Sequence, residues 1–359
     1  MKILALVSDS FGAGGGIAQY NRDLFGALAA TPAVTSIDVL PRHAPEVAGA
    51  LPGKVRQMGA PAGRAAYVPA AFAQARRLRP GVVFCGHLNL VPLAAAVASR
   101  AKARLVVQLH GVEAWERPPA LHRRAVEKAD LVLCVSRHTR QRLLTWADIM
   151  PERVAVLPNT VSDAFSPGDK SAARRKLGLA ERPTLLSVGR LDARERYKGH
   201  DRVIRLLSAL RDQVGDVVYL IAGDGDDMSR LQSLAADCGV SPRVSFLGQI
   251  PAPQLPDLYR AADLFVLPST GEGFGIVYLE AMASGTPALG LAEKGALDAL
   301  AHGELGSAVS EDQLLNAMAQ SLKLPARSGP HLADAVRTRF GRDVFARQAS
   351  AVFSQALDA

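Results

Sequence analysis

Two glutamates eight positions apart, Glu272 and Glu280, flank the most chemically suggestive stretch of the chain. The first stands among Gly271, Gly273 and Gly275, and the second falls in the apolar run that follows. The run over 264–267 predicts a buried parallel strand, 268–275 the turn after it, and 276–284 a short helix closed by Gly285. A helix start carries partial positive charge and unsatisfied N–H donors, so it favours a bound phosphate. A carboxylate on either side would accept hydrogen bonds from sugar hydroxyls.

Fixed cations stand upstream. Gly189 and Arg190 end a predicted strand over 184–188, and Lys198-Gly199 follow at the far end of an ion-rich loop. Guanidinium binds a diphosphate bidentately, and ammonium acts on it as a point charge. Gly223-Asp-Gly225-Asp-Asp227 lies between a strand and a helix beginning near Met228. Its Asp-x-Asp pair suggests a divalent metal, but the position favours aspartates acting as N-caps and glycines that leave room for a flat nucleobase. In the first half His87 and His110 each follow a strand, and Gly12, Gly14, Gly15 and Gly16 form a loop that lets backbone approach a ligand closely.

The elements that must position these groups repeat in one rhythm. Strands are predicted over 2–8, 34–40, 82–84, 105–109, 131–135 and 154–157, with helices over 19–30 and 65–78. A second series follows: strands over 184–188, 217–221, 244–247, 264–267 and 287–290, and helices over 202–212, 228–238, 253–261 and 276–284. Alternating βαβ units imply a doubly wound parallel sheet, here twice, with ligands at the carboxyl ends of the strands. The stretch 162–173, holding Pro167, Gly168 and several charges, reads as a hinge. The domains are therefore 1–165 and 166–340, followed by a terminal helical segment, 341–359, whose apolar positions include Phe345 and Phe353.

Bulk properties set the class. With 359 residues, 48% apolar and 21% charged, the chain is a globular protein of two domains, neither disordered nor a coiled coil. Cys85, Cys134 and Cys238 are too scattered for a disulfide framework or a CxxC metal site, which fits a reducing cytoplasm. No stretch approaches the ~20 apolar residues of a membrane span, and the amino-terminal run is too short for a signal peptide. The formal charge of +8 is uneven: residues 1–165 hold 20 Lys+Arg against 11 Asp+Glu, a balance of +9, and the remainder holds 22 against 23. Basic clusters at 76–79, 100–104 and 123–128 would attract anionic headgroups or a phosphorylated acceptor. Without interleaved aromatics or a nucleic-acid motif, the charge gives no reason to expect nucleic acid as a partner.

Taken in order, Gly14-Gly15-Gly16, His110-Gly111, Pro158-Asn159, Gly189-Arg190, Lys198-Gly199, Gly223-x-Gly225, Phe246-Leu-Gly248 and the pair Glu272 and Glu280 resemble a family-4 retaining glycosyltransferase, a group 1 glycosyl transferase with an E-x7-E element. The resemblance implies a GT-B fold, two Rossmann-like α/β domains facing across a cleft, 1–165 binding the acceptor and 166–340 the nucleotide sugar, with the 341–359 helix crossing back to the first domain or else packing locally as an ordinary amphipathic helix, and transfer of a hexose from a nucleotide diphosphate sugar to a saccharide or lipid-linked saccharide. It implies that Arg190 and Lys198 hold the diphosphate and stabilise the leaving nucleotide, that Glu280 takes the ribose hydroxyls, and that Glu272 contacts the transferred sugar. Backbone N–H groups of Gly273, Phe274, Gly275 and Ile276 would be aimed at sugar and phosphate. Gly223 and Gly248 would line the donor site, Gly15 and Gly16 would complete the phosphate pocket, and His110 would help position the sugar. No metal or other cofactor is implied. Location would be cytoplasmic, with peripheral contact at an anionic membrane. The loop between Arg190 and Lys198 is about two residues longer than the commonest family pattern, which leaves Arg194, Arg196 and Lys198 as candidates for the second phosphate-binding cation.

Three other readings compete. A dinucleotide-dependent oxidoreductase requires G-x-G-x-x-G after a strand with an acid further on, and Ile17 stands where the third glycine should be. A nucleotide-sugar epimerase or hydrolase on the same architecture would act without acceptor. A non-catalytic nucleotide-sugar-binding subunit would lack part of the set Glu272, Arg190, Lys198 and His110, all of which are present.

Overall fold

Apolar runs without alternation become strands covered on both faces. Ile3 to Val7, Val82 to Cys85 and Leu264 to Leu267 are each buried along their whole length. In a computed structural model, which describes residues 1–43, 50–324 and 327–358, the chain divides into two units, Met1–Thr160 with Arg342–Ala359, and Val161–Gly341.

Among the described residues the first unit has seven strands: β1 (Lys2–Val7), β2 (Ser36–Pro41), β3 (Val55–Gln57), β4 (Val82–Cys85), β5 (Arg104–Leu109), β6 (Leu131–Cys134) and β7 (Val154–Val156). They lie side by side in the order β3-β2-β1-β4-β5-β6-β7, every pair parallel. The second unit has six: β8 (Thr184–Val188), β9 (Val218–Ala222), β10 (Val244–Gly248), β11 (Leu264–Leu267), β12 (Ala288–Leu291) and β13 (Ser307–Val309). Their order is β10-β9-β8-β11-β12-β13, again all parallel. In each sheet the strand order reverses beside the first strand, between β1 and β4 and between β8 and β11. At such a switch point the connections leave in opposite directions and open a crevice at the carboxyl ends.

The terminal helix Arg342–Asp358 belongs to the first unit and lies against the helix Gly16–Ala30. Phe345, Ala349 and Phe353 are buried, the Phe345 ring meets Tyr20 edge-on at 5.8 Å, and Arg342 reaches Asp23 at 3.8 Å.

The expected hinge is shorter than its composition suggests. Residues 170–173 are the first turn of the helix Lys170–Leu177, started by the Asp169 carboxylate accepting from Ala172 N–H at 3.0 Å. Arg174 in that helix is buried, donating to Asp263 at 2.7 Å and to the Ala261 carbonyl at 3.0 Å. Arg174, one residue past the expected hinge, is thus an inward anchor for this helix. Strands β3 and β13 and the helices Val91–Ala101, Leu314–Lys323 and Gly329–Phe340 had no counterpart in the sequence reading.

Candidate active site

The two loops that carry the predicted chemistry of the second unit leave β8 and β11, the strands at its switch point. They are docked on each other: Thr270 N–H donates to the Tyr197 carbonyl at 2.9 Å, and Arg202 reaches the Pro268 carbonyl at 3.3 Å. Gly275 precedes the helix Ile276–Ala283 at φ 93, a left-handed conformation costly for any residue with a Cβ. Phe274 turns its side chain inward, 5.7 Å from Phe340, which leaves only its backbone to serve a ligand.

Four charged groups meet where these loops touch. Lys198 Nζ lies 3.4 Å from Glu272 Oε1 and 3.6 Å from Glu195 Oε2, and Arg190 pairs with Glu195 Oε1. Lys198, Glu195 and Glu272 are only 13–15% exposed at the side chain, whereas Arg190 is 74% exposed. Burial by itself would lower the Lys198 ammonium, but Glu272 and Glu195 outweigh it and hold the group above its ordinary value. Two cations and two anions balance, so the cluster is neutral as it stands. A diphosphate entering here would exchange carboxylate partners for phosphate oxygens.

Of the three candidates for the second cation, the structure sets Lys198 with Glu272. Arg194 folds back on Asp192 at 2.7 Å, with its side chain 88% exposed, and Arg196 pairs with Asp227 at 2.8 Å.

Beside the cluster, and sharing Arg190 with it, is a cavity of about 350 Å³ lined also by Val188, Gly189, Gly223, Asp224 and Gln249. Gly223 has φ 144, and a Cβ there would come within 1.8 Å of the Gly189 carbonyl oxygen. Its N–H donates to the Gly248 carbonyl at 2.8 Å, stitching the ends of β9 and β10 together. Backbone alone forms this wall, which suits a flat ring. The aspartates here do not cap as expected. Asp227 occupies the position before the helix Met228–Asp237, but its carboxylate makes no cap and instead binds Arg230 at 2.6 Å and Arg196, and Asp226 accepts from Ala193 N–H at 2.7 Å. The neighbouring cations outbid the helix N–H groups for these carboxylates.

Glu280, on the helix Ile276–Ala283, accepts from the Tyr259 hydroxyl at 2.8 Å. Burial, and then the Glu280 charge, push that phenol well above its usual range, so it stays a donor. His200, just past Lys198-Gly199, is buried under the cluster with Nδ1 3.2 Å from the Tyr219 hydroxyl. Burial and then the Lys198 charge depress it to about 3, leaving it neutral.

Three predicted residues belong to the first unit. His110 follows β5, where Nε2 is 3.0 Å from the Gly86 carbonyl and its backbone N–H donates to Glu113 Oε1 at 2.5 Å. A carbonyl only accepts, so Nε2 bears the proton and Nδ1 is left as acceptor. Burial overcomes Glu113 and lowers this histidine, which favours the neutral ring. Gly15 ends the loop after β1 at φ 91 and Gly16 opens the helix Gly16–Ala30; a Cβ at either position would meet no atom of the described residues within 4 Å.

Glu195 and Tyr259 are the groups that sequence reasoning missed. Glu195 carried a signal, since an acid three residues before Lys198 faces it across one turn. Tyr259 carried none, because it reaches Glu280 only through the tertiary fold.

Two Rossmann-like parallel sheets, each with a strand-end crevice, define the class. The chain belongs to the group 1 glycosyl transferases: residues 169–336 match the family model described as glycosyl transferases group 1, and residues 14–165 match that of glycosyltransferase family 4. It is 34% identical over 263 residues to the GDP-mannose-dependent alpha-(1-6)-phosphatidylinositol monomannoside mannosyltransferase of Mycolicibacterium smegmatis, a match covering 68% of each chain. It is 33% identical over 285 residues to the D-inositol 3-phosphate glycosyltransferase of Thermobispora bispora, covering 75% of this chain and 66% of that one. The chain thus spans about two thirds of the length of these relatives. Among solved structures, sucrose-phosphate synthase from Thermosynechococcus elongatus superposes with a TM-score of 0.80 at 24% identity over 99% of both chains, a likeness of fold.

Proposed function

We propose that this protein is a retaining, metal-independent glycosyltransferase that moves a hexose from a nucleotide diphosphate sugar to a saccharide or lipid-linked saccharide acceptor. The observation that carries the reading is the neutral cluster of Arg190, Lys198, Glu195 and Glu272 beside the backbone-walled cavity at Gly223. The cavity would take the base, Glu280 the ribose, and Arg190 with Lys198 the diphosphate. Charge that builds on the leaving nucleotide meets two fixed cations, an interaction stronger in the transition state than in the ground state. Glu272, once released by Lys198, would accept hydroxyls of the sugar. The cations occupy the role a divalent ion plays elsewhere, so no cofactor is required. By their names, one relative is a GDP-mannose-dependent phosphatidylinositol monomannoside mannosyltransferase and another a D-inositol 3-phosphate glycosyltransferase, which fits glycolipid or surface polysaccharide synthesis by an enzyme working at the cytoplasmic face of a membrane.

The test is product detection by mass spectrometry with a panel of GDP- and UDP-sugars and acceptors, with and without chelator. Transfer with retained anomeric configuration and undiminished in chelator is expected. Loss of turnover in chelator contradicts the assignment of the cations, and nucleotide release without any acceptor points to a hydrolase.

A further inference from the structure

Among the described residues five other than glycine have left-handed backbone: Arg79, Lys102, Lys294, Ala301 and His302. Arg79 and Lys102 close helices, where that conformation is ordinary, and Ala301 and His302 lie in the turn after a helix end. Lys294 differs from all four. At φ 50 it opens the helix Lys294–Ala299 after β12, where the hydrogen bonds that a left-handed residue makes at a helix end do not arise. A Cβ makes this conformation costly, and glycine would adopt it freely. Strain of this kind persists where the surrounding structure imposes it, and it points to a task for the side chain.

That task lies at the far end of the lysine. The Lys294 ammonium donates to the Thr270 carbonyl, a charge-assisted bond. The next residue, Gly295, is buried and donates its N–H to the Glu272 carbonyl at 3.1 Å. It packs so closely that a Cβ there would come within 2.0 Å of the Gly273 carbonyl oxygen. Strands β8, β11 and β12 are neighbours in the sheet, so the loop that bears Glu272 is gripped from both sides. The Tyr197 carbonyl takes the Thr270 N–H at 2.9 Å on one side, and Lys294 and Gly295 act on the other. With both peptide groups of Thr270 fixed, the direction in which the chain leaves towards Glu272 is fixed as well.

We propose that Lys294 is a positioning residue for Glu272: its ammonium locks the turn at Thr270 that aims the Glu272 carboxylate, and the left-handed backbone is what brings the ammonium there. The inference rests on the transferase reading, in which Glu272 contacts the transferred sugar, and adds to it a residue that acts through Glu272.

Two variants of the full chain separate charge from backbone. Lys294→Gly removes strain and ammonium together, whereas Lys294→Met removes the ammonium and keeps the strain. Turnover of the nucleotide sugar that the native protein uses, affinity for GDP and UDP, urea denaturation, and hydrogen exchange over residues 269–276 are measured on each. In both variants kcat should fall roughly tenfold or more, while the nucleotide dissociation constant stays within about threefold of native, because a nucleotide presents no sugar to Glu272. Exchange over 269–276 should quicken by roughly tenfold or more, and Lys294→Gly should unfold at a higher urea concentration than Lys294→Met. A native kcat in a folded variant, unchanged exchange over 269–276, or a loss of nucleotide affinity as large as the loss of kcat overturns the inference. Should Lys294→Met not fold, Lys294→Gly decides alone. If the native protein turns over no nucleotide sugar with any acceptor, the transferase reading falls and this inference with it; if it does and the variants keep its kcat, only this inference falls.

Discussion

Replacing Glu195 by Gln should make the free protein less stable and nucleotide binding tighter, a pairing of opposite effects that follows from the cluster's charge balance. Glu195 Oε2 and Lys198 Nζ are 3.6 Å apart. Coulomb's law at that separation gives about 4.6 kcal/mol at an effective dielectric of 20 and about 1.2 kcal/mol in bulk water. With both groups slightly exposed and the side-chain entropy of ordering subtracted, a net of about 1–2 kcal/mol is reasonable. A diphosphate must overcome this attraction to reach Lys198, and in E195Q it need not. The dissociation constant for GDP or UDP should therefore fall roughly 5- to 30-fold, while the unliganded protein loses up to about 1–2 kcal/mol in urea denaturation. Calorimetry and denaturation on the same preparation check both. Weaker nucleotide binding in E195Q would show that Glu195 positions the cations rather than competing for them, and would refute the reasoning.

Lys198→Met leaves Glu272 and Glu195 without their shared cation, and denaturation should show a loss of about 2–4 kcal/mol, short of the full cost of breaking a buried pair because the site is partly wet. Because Lys198 lies above its ordinary value, its contribution to native stability is complete below the unfolded value near pH ~10.4 and is lost as pH rises through the folded one. Stability curves at pH 8 and 11 check this, and they should converge in the variant. Gly223→Ala sets a Cβ 1.8 Å from the Gly189 carbonyl at φ 144. A cost of roughly 2–5 kcal/mol from strain and overpacking is expected, with nucleotide binding lost in whatever folds; an unchanged denaturation midpoint would contradict the close approach of β8 and β9 ends. His200, depressed to about 3, binds a proton when unfolded but not when folded between pH ~6.5 and that value, so stability falls as pH drops. From pH 7 to pH 5 the loss attributable to it is about 2 kcal/mol, and His200→Gln should remove that slope.

The fold was legible where one physical signal dominated. Leu264 to Leu267 is apolar on both faces, Thr184 to Val188 is a β-prone run around Leu185 and Leu186, and both are bounded by Pro, Gly or charge, so both strands fall where the sequence puts them. Signals failed where burial was incomplete. In β3 only Val55 is buried, which leaves no pattern to read. The aspartates after β9, expected as N-caps, show a second limit: the cations that take their carboxylates are set by the tertiary fold, just as the partner of Arg174, Asp263, stands 89 residues away. In the candidate site the glycines, Arg190, Lys198 and both glutamates were visible because their spacing is local. The competition set up by Glu195, and Tyr259 behind Glu280, depend on how two loops dock, which spacing does not encode.

The central claim is that Lys198 receives the second phosphate of the donor nucleotide. A double-mutant cycle tests it most directly: the affinities of native protein and Lys198→Met for GDP and GMP, and for UDP and UMP, measured by calorimetry. A coupling of about 1.5 kcal/mol or more between Lys198 and the terminal phosphate is expected for the base that binds. Additive losses, with the terminal phosphate worth as much in the variant as in the native protein, would contradict it.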